Sequence, residues 1–149
     1  MSGKSCFFIG HADASTEVFP ALAEAVERHI SEYGATVFYV GNYGTFDRMA
    51  ARAVINSREK HPEISLFLLL PYHPAERQVI FGQGFDGSFY PPGMEKVPRR
   101  FAIVRANRYM IDHADYLIAH AWHPASNARN LVDYARKREE KGMIIVTLI

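Results

Sequence analysis

The chain has 149 residues, of which 48% are apolar and 22% are charged. This length predicts one domain over residues 1–149, and the composition excludes a disordered or collagen-like chain. The net charge of +1 excludes a nucleic-acid binder that relies on a strongly basic overall charge. Cys6 is the single cysteine, which excludes an internal disulfide framework and a zinc ribbon built on cysteine pairs.

Hydropathy predicts a cytoplasmic protein with no membrane partner. The longest apolar stretch runs from Ile64 to Leu70, far short of the ~20 residues that cross a bilayer. The apolar run Cys6–Ile9 near the start is too short for the core of a signal peptide.

Short apolar runs along the chain predict five β-strands. The runs are continuous rather than alternating, which is typical of parallel strands whose two faces are both covered. Their length and their β-branched and aromatic content favour strands over buried helices. In chain order they are Cys6–Ile9, Thr36–Val40, Ile64–Leu70, Tyr116–Ala119 and Met143–Ile149.

Amphipathic stretches between these runs predict helices, because their apolar residues recur every three or four positions. Candidate start and stop residues flank them, by the usual preferences for caps and breakers. The first helix carries Val18, Leu22, Val26 and Ile30 and stops before Gly34. The second helix follows Thr45 as its N-cap, and the third opens at Pro98. The fourth helix follows Ser126 as its N-cap and stops before Gly142.

This alternation predicts an α/β fold. We expect a Rossmann-like, doubly wound and mainly parallel sheet of five strands with helices on both faces, in the strand order 3-2-1-4-5. Ligands of such sheets bind outside the carboxyl ends of the strands, where the strand order reverses. The predicted site therefore lies between the ends of strands 1 and 4.

One segment interrupts the alternation. Residues 71–97 are rich in proline, glycine and aromatic side chains, and a connection of this length in a compact domain is usually functional or disordered. The aromatic content argues against disorder, so we expect an ordered flap over the carboxyl edge of the sheet. A surface loop that buries its own aromatic residues is the alternative.

Polar and small residues gather where the predicted strands end. Glycines between strand 2 and its helix would let the backbone approach a ligand, and free N–H groups from Asn42 to Thr45 would hold a polar or anionic group. Asp47 suits a hydroxyl or an amine better than a phosphate. A tight structural turn is the alternative for this segment. The candidate ligand-binding residues at these ends are Gly10, His11, Gly41, Asn42, Tyr43, Gly44, Thr45, Asp47, His120, Trp122, Ser126 and Asn127.

Histidine and arginine give two further hypotheses. His11, His120 and His123 would meet near the switch point, but no acidic or thiolate partner has a diagnostic spacing, so we expect neither a metal nor a cofactor. Arg105 and Arg108 belong to a basic stretch over residues 95–108, and in this stretch they would neutralise a phosphate. A solvated helix face is the alternative for that stretch.

Several segments together resemble a known family. They are FFIGH, YVGNYGTFDRMAARAV, LLLPYHP, FDGSFYPPGMEKVPRRFAIVRANRYMIDHADYLIAH and SNARNLVDYARKR. These segments are similar, in the same order, to the YpsA-like branch of the SLOG superfamily, which also contains DNA-processing protein DprA and the Lonely Guy phosphoribohydrolases. The resemblance implies a Rossmann-like domain that binds nucleotides, nucleotide-derived ligands or nucleic acid.

Residue by residue, the resemblance assigns Gly41, Gly44 and Asp47 to the glycine-rich turn and its acidic position, and Arg105, Asn107 and Met110 to the motif of the third helix. Ala12 stands where the family usually has arginine. The resemblance puts Ala106 and Arg129 where the hydrolases carry arginine and glutamate, so it does not imply their catalytic groups.

The sequence therefore predicts a protein that binds a nucleotide or nucleotide-derived small molecule without assigned catalysis. Tyr43, Trp122 or a flap aromatic would stack on the base. One alternative is a hydrolase of N-glycosidic bonds that uses Asp47, and another is a nucleic-acid-binding module similar to DprA. A homodimer formed through the flap is a further alternative.

Overall fold

The computed structural model describes residues 3–76 and 82–149 of the chain. Within these ranges the strands are β1 Lys4–Gly10, β2 Ala35–Val40, β3 Ser65–Leu69, β4 Gly87–Phe89, β5 Tyr116–His120 and β6 Ile145–Leu148. The α-helices are α1 Phe19–Ser31, α2 Thr45–Ser57, α3 Ala102–His113 and α4 Asn127–Glu140, with short 3-10 turns at Thr16–Val18, Met94–Lys96 and Arg99–Phe101.

The described strands form a six-stranded sheet in the order β4-β3-β2-β1-β5-β6, and all neighbouring strands run parallel. The predicted α/β class and parallel sheet are confirmed, but the prediction of five strands is wrong. The five predicted strands keep their order, and β4 from the proposed flap adds to the edge beside β3. Only Phe89 of its three residues is a large apolar side chain, so no apolar run marks this strand.

Burial in the core follows the alternation of side chains along the strands. Cys6 and Phe8 of β1 belong to a buried cluster that contains residues of α1 and α2. Phe7 and Ile9 belong to a second cluster that contains residues of α3 and α4. Because successive residues of a strand point to opposite faces of its sheet, β1 is buried on both faces, which explains its continuous apolar run.

The helix ends show where cap residues act. Gly34 follows α1 with a φ of +77°, a conformation that glycine adopts without strain. Ser126 is the N-cap of α4, as predicted. Thr45 is wrong as the N-cap of α2, because Gly44 holds that position. Pro98 is wrong as the first residue of α3, since it precedes a 3-10 turn and the α-helix begins at Ala102.

The segment 71–97 is tied to the sheet in its described part, and its residues 77–81 lie outside the described residues. Arg58, just after α2, donates to the backbone carbonyl of Gly84 and to the Asp86 carboxylate. The same carboxylate accepts the N–H of Leu66 at 2.8 Å. These bonds hold the chain in place immediately before β4, so this part of the segment extends the sheet.

The opposite edge of the sheet is β6. Ile145 donates its N–H to the carbonyl of Asp115, just before β5, and Ile149 donates its N–H to the carbonyl of Ala119 in β5. Because N–H groups alternate in direction along a strand, the N–H of Val146 points away from β5. The carboxylate of Glu139 in α4 accepts that N–H at 2.8 Å. None of the helices in the described ranges has both the length and the apolar character needed to cross a bilayer.

Candidate functional site

A cavity of about 420 Å³ opens at the carboxyl ends of β1 and β2. It lies at the point where the sheet order continues from β1 to β5, the place at which ligands of open α/β sheets bind. We call it the switch-point cavity. The predicted site residues that line it are Gly10, His11, Gly41, Tyr43, Gly44, Asp47, Ser126 and Asn127.

Two of these glycines are required by packing inside the protein. A Cβ atom at Gly44 would lie 2.2 Å from the Cα atom of Ala12, and one at Gly10 would lie 2.1 Å from the ring of Phe46. Real Cβ atoms do not approach so closely, so both positions must be glycine for α2 to dock on the end of β1. The position that a Cβ atom would take at Gly44 is therefore occupied by Ala12, which gives this glycine a packing role in addition to its place in the cavity wall.

The turn before α2 also uses its own polar groups. The N–H of Thr45 donates to the carbonyl of Ala12 at 2.8 Å, and the N–H of Tyr43 donates to the Asp47 carboxylate at 3.0 Å. The predicted cradle of N–H groups from Asn42 to Thr45 is consequently half committed to internal bonds. The Asp47 bond resembles one half of a capping box, in which a polar side chain of the first turn accepts an N–H just ahead of the helix.

Asp47 adds a titratable group to this turn. Burial raises the pKa of its carboxyl to about 6, against the opposing effects of the Tyr43 hydrogen bond and of Arg48. At neutral pH the carboxyl is mostly ionised, and it repels a phosphate beside it. The α2 side of the cavity therefore suits a hydroxyl or an amine better than an anion.

The start of α4 has the opposite character. The Ser126 hydroxyl accepts the N–H of Arg129 at 3.1 Å and donates to the carbonyl of His123 at 2.9 Å. Asn127 and Ala128 line the cavity, and their N–H groups precede the first intrahelical bond. The first turn of α4 contains no acidic residue. A helix start of this kind favours an anion in the cavity.

His11 is a buried neutral base between the cavity and the β5–α4 loop. Its Nε2 atom accepts the N–H of His123 at 3.1 Å, which places the proton of the neutral ring on Nδ1. Burial lowers the pKa of His11, and the nearby His123 lowers it further. The edge of the His11 ring packs against Trp122, with 5.5 Å between centroids. His11 thus positions the loop that precedes α4.

Of the three predicted histidines, His11 and His123 lie ring against ring with 4.7 Å between centroids, whereas His120 is engaged with other groups. His120 directs Nδ1 to the carbonyl of Ile149 at 2.7 Å, and its ring stacks on Phe46. Across residues 3–76 and 82–149, no group of three or more His, Cys, Asp or Glu side chains is placed to hold a metal ion.

Some predicted site residues lie outside the cavity. Arg105 and Arg108 face a separate depression beside Asp112, and the Arg108 guanidinium lies 4.3 Å from the ring centre of Tyr134. Asn42 lines another cavity, behind Asp47. Thr45, His120 and Trp122 do not line the switch-point cavity.

The structure adds a wall that the sequence did not assign to the site. Residues from the 3-10 turn and from α3 line the cavity opposite Asp47, namely Arg100, Ile103, Val104 and Asn107. Their spacing of three, four and seven residues is that of one helical face. That spacing groups Arg100 with Asn107 on one face, but it groups Arg105, Arg108 and Asp112 on another in the same way. The sequence therefore carries no signal for which face lines the cavity.

The positions that match the hydrolase motif carry other groups. Ala106 is buried in the core. The side chain of Arg129 is paired with Asp133 at 3.2 Å on the surface of α4. The switch-point cavity is lined by the Asp47 carboxylate and by the His11 imidazole, and these are the two groups of this site that acid–base chemistry could use.

No known family model matches the chain, and no curated protein matches it significantly in sequence. Among solved structures, the chain is similar to DNA processing protein A from Helicobacter pylori, a protein described for its unique mode of binding single-stranded DNA. The TM-score is 0.56 at 16% sequence identity, over 96% of this chain and 74% of that chain. At this identity, what the two chains share is the fold: a parallel sheet with α-helices.

Proposed function

We propose that this protein binds single-stranded nucleic acid and holds one nucleotide unit in the switch-point cavity. The observation that carries the proposal is the convergence of two anion-binding features on that cavity. The start of α4 presents N–H groups from Asn127 and Ala128, and Arg100 lines the same space. Backbone N–H groups at a helix start and an arginine fork both bind phosphate oxygens.

Exposed aromatic rings near the cavity support the same proposal. Tyr43 lines the cavity and is 42% exposed, while Trp122, packed on His11, is 56% exposed. Phe101 lies next to Arg100 in the chain and is 50% exposed. Bases stack on such rings without strict sequence preference, and each stacked base contributes about 1–3 kcal/mol.

The likeness in fold and the sequence resemblance agree with this proposal. The neighbour from Helicobacter pylori is described as a binder of single-stranded DNA, and it belongs to the superfamily that the sequence resembles. We propose that the present chain is a Rossmann-like SLOG domain of the YpsA-like branch, doubly wound with helices on both faces. The division of the buried residues between α1 with α2 and α3 with α4 supports that arrangement.

A free nucleotide or nucleotide-derived small molecule is the second candidate ligand. The volume of about 420 Å³ falls within the roughly 300–1,000 Å³ of small-molecule sites. The overall charge of +1 also gives little long-range attraction for a polyanion. Both candidates place a phosphate at the start of α4, and they differ in whether the ligand extends beyond the cavity.

Fluorescence anisotropy with a fluorescein-labelled eight-nucleotide single strand tests the first candidate. We expect saturable binding that weakens as salt rises, because phosphate contacts release counterions. The Arg100→Ala variant should weaken binding at least fivefold, whereas Arg136→Ala on the outer surface of α4 should leave it unchanged.

Competition by mononucleotides separates the two candidates. If a nucleoside monophosphate displaces the labelled strand at the concentration at which an unlabelled strand does, the free nucleotide is the ligand. If neither the strand nor any mononucleotide binds, both candidates are wrong.

A further inference from the structure

A second cavity adjoins the switch-point cavity across the start of α3. It has a volume of about 620 Å³ and is lined by residues from 71–76, Tyr90, and 94–99. Arg99 lines this cavity and Arg100 lines the switch-point cavity, so consecutive arginines of one 3-10 turn face the two spaces. We call the second space the tyrosine cavity.

The lining of the tyrosine cavity suits a flat aromatic group. Tyr72, His73 and Tyr90 contribute rings, and the ring of His73 meets that of Tyr90 edge-on with 5.4 Å between centroids. The Arg99 guanidinium lies 5.6 Å from the ring centre of Tyr72. Buried Met94 adds an apolar surface. Aromatic and guanidinium planes are the groups on which single-stranded bases stack.

The charge around this cavity is mixed, and two carboxylates lie beside its aromatic rings. The exposed carboxylates of Glu76 and Glu95 line it together with Lys96 and Arg99. Tyr90, Glu76 and Glu95 line the same cavity. Burial raises the pKa of the Tyr90 hydroxyl, and the charges of Glu95 and Glu76 raise it further. Carboxylates repel phosphate but accept hydrogen bonds from an amino group on a neutral ring.

We propose that the tyrosine cavity is a second nucleotide subsite, which takes the base that follows the nucleotide in the switch-point cavity. The linking phosphodiester crosses Arg99 and Arg100, and the carboxylates favour bases with an exocyclic amine, namely cytosine, adenine and guanine, over thymine. The inference rests on the proposed binding of single-stranded nucleic acid and narrows its ligand to at least a dinucleotide.

Calorimetric titration of the unmodified protein gives the first test. The probes are deoxycytidine monophosphate and the 5′-phosphorylated dinucleotides of cytosine and of thymine. We expect the cytosine dinucleotide to bind about tenfold more tightly than the monophosphate, in line with one added base–aromatic stack. The thymine dinucleotide should bind severalfold more weakly than the cytosine dinucleotide, since thymine has no exocyclic amine.

Variants locate the effect in the tyrosine cavity. Tyr90→Leu should reduce the affinity for the cytosine dinucleotide to that of the monophosphate and leave monophosphate binding unchanged. Glu95→Ala should reduce the preference for cytosine over thymine. The matched controls are Tyr33→Leu, near the start of β5, and Glu140→Ala, at the end of α4, and neither should change any of these affinities.

Two failures are distinguishable. If the monophosphate and both dinucleotides bind equally well and Arg100→Ala weakens all three, the second subsite is wrong and the switch-point site stands. If none of the probes binds, the proposed function is wrong and the second subsite falls with it. The comparison of the monophosphate with the dinucleotides uses the unmodified protein, so it tests the second subsite even if the Tyr90→Leu variant does not fold.

Discussion

Two helices begin beside the switch-point cavity, and their first turns are built in opposite ways. The third residue of α2 is Asp47, whose carboxylate bonds back to the N–H of Tyr43. The third residue of α4 is Arg129, and its N–H is capped by Ser126. The start of α2 is thus closed by the chain's own carboxylate, whereas the start of α4 faces the cavity without one.

The comparison shows that a glycine-rich turn and an anion site are separate features. Gly44, just before α2, allows close packing on Ala12, and Gly10, at the end of β1, allows close packing on Phe46. The turn before α4 has no glycine, yet it supplies the N–H groups and the favourable helix end. Four substitutions test this contrast between the start of α2 and the start of α4.

Replacing Gly44 with valine should give the largest loss. The new Cβ atom would lie 2.2 Å from the backbone of Ala12, and forced overpacking of this kind costs about 3 kcal/mol or more. Urea unfolding measures the change. Gly82→Val is the control, because a Cβ at Gly82 has no neighbour within 4 Å among the residues that the structure describes. A Gly44→Val protein as stable as the unmodified one would show that the turn does not pack on Ala12.

Arg129→Glu converts the start of α4 into the pattern of α2. The variant has the sequence Ser-x-x-Glu, a capping box that satisfies the first turn internally. Reversing the charge should weaken binding of the labelled strand by about ten- to thirtyfold, with little change in unfolding free energy. Lys137→Glu in the last turn of α4 should alter the affinity less than twofold. Equal losses in both variants would point to a general charge effect.

Asp47→Asn removes the charge from the start of α2 and keeps an acceptor for Tyr43. Because the pKa of Asp47 is raised to about 6 in the folded protein, folding favours the protonated carboxyl. Its stabilising contribution is complete below about pH 4 and is lost as pH rises through 6. The change in pKa from 3.8 to about 6 corresponds to about 3 kcal/mol at pH 7. Because the Asp47 side chain is only partly buried, solvent screening reduces this effect, and the variant should be more stable at pH 7 by about 1–1.5 kcal/mol. Urea unfolding from pH 4.5 to 7.5 should show the difference shrinking toward acid. A less stable variant at pH 7 would contradict this.

Ser126→Ala should have the smallest effect. Loss of an N-cap hydroxyl costs about 1 kcal/mol, and this one also donates to the carbonyl of His123. Ser15→Ala is a matched control, since Ser15 caps only a three-residue 3-10 turn, and we expect a loss under about 0.5 kcal/mol. Thermal unfolding compares the two variants, and equal losses would show that α4 needs no cap.

The parts of the fold that hydropathy controls were predictable from the sequence. Cys6–Ile9 marked β1 because both faces of that strand are buried. β4 was missed because its three residues are held by a neighbouring strand and by Asp86, not by an apolar pattern. The side of the cavity formed by Arg100 and Asn107 was missed because it depends on how α3 faces the sheet, a tertiary property.

Site chemistry was harder to predict than site location. Several residues named at the strand ends line the switch-point cavity. The sequence could not show, however, that Thr45 donates its N–H to Ala12. Nor could it separate Arg100 from Arg105 and Arg108, which face different surfaces of the same helical segment. Which backbone groups are already bonded, and which way an arginine points, follow from the docking of whole elements.

The bond between Glu139 and Val146 has a consequence for self-association. An open edge strand is a template on which a second chain can add another strand, and β6 carries exposed Ile145 and Leu148 that would favour such growth. A chain adding there would first have to break a charge-assisted bond of 2.8 Å. The Glu139 carboxylate therefore hinders the addition of a further strand, and with it amyloid-like growth, at this edge of the sheet.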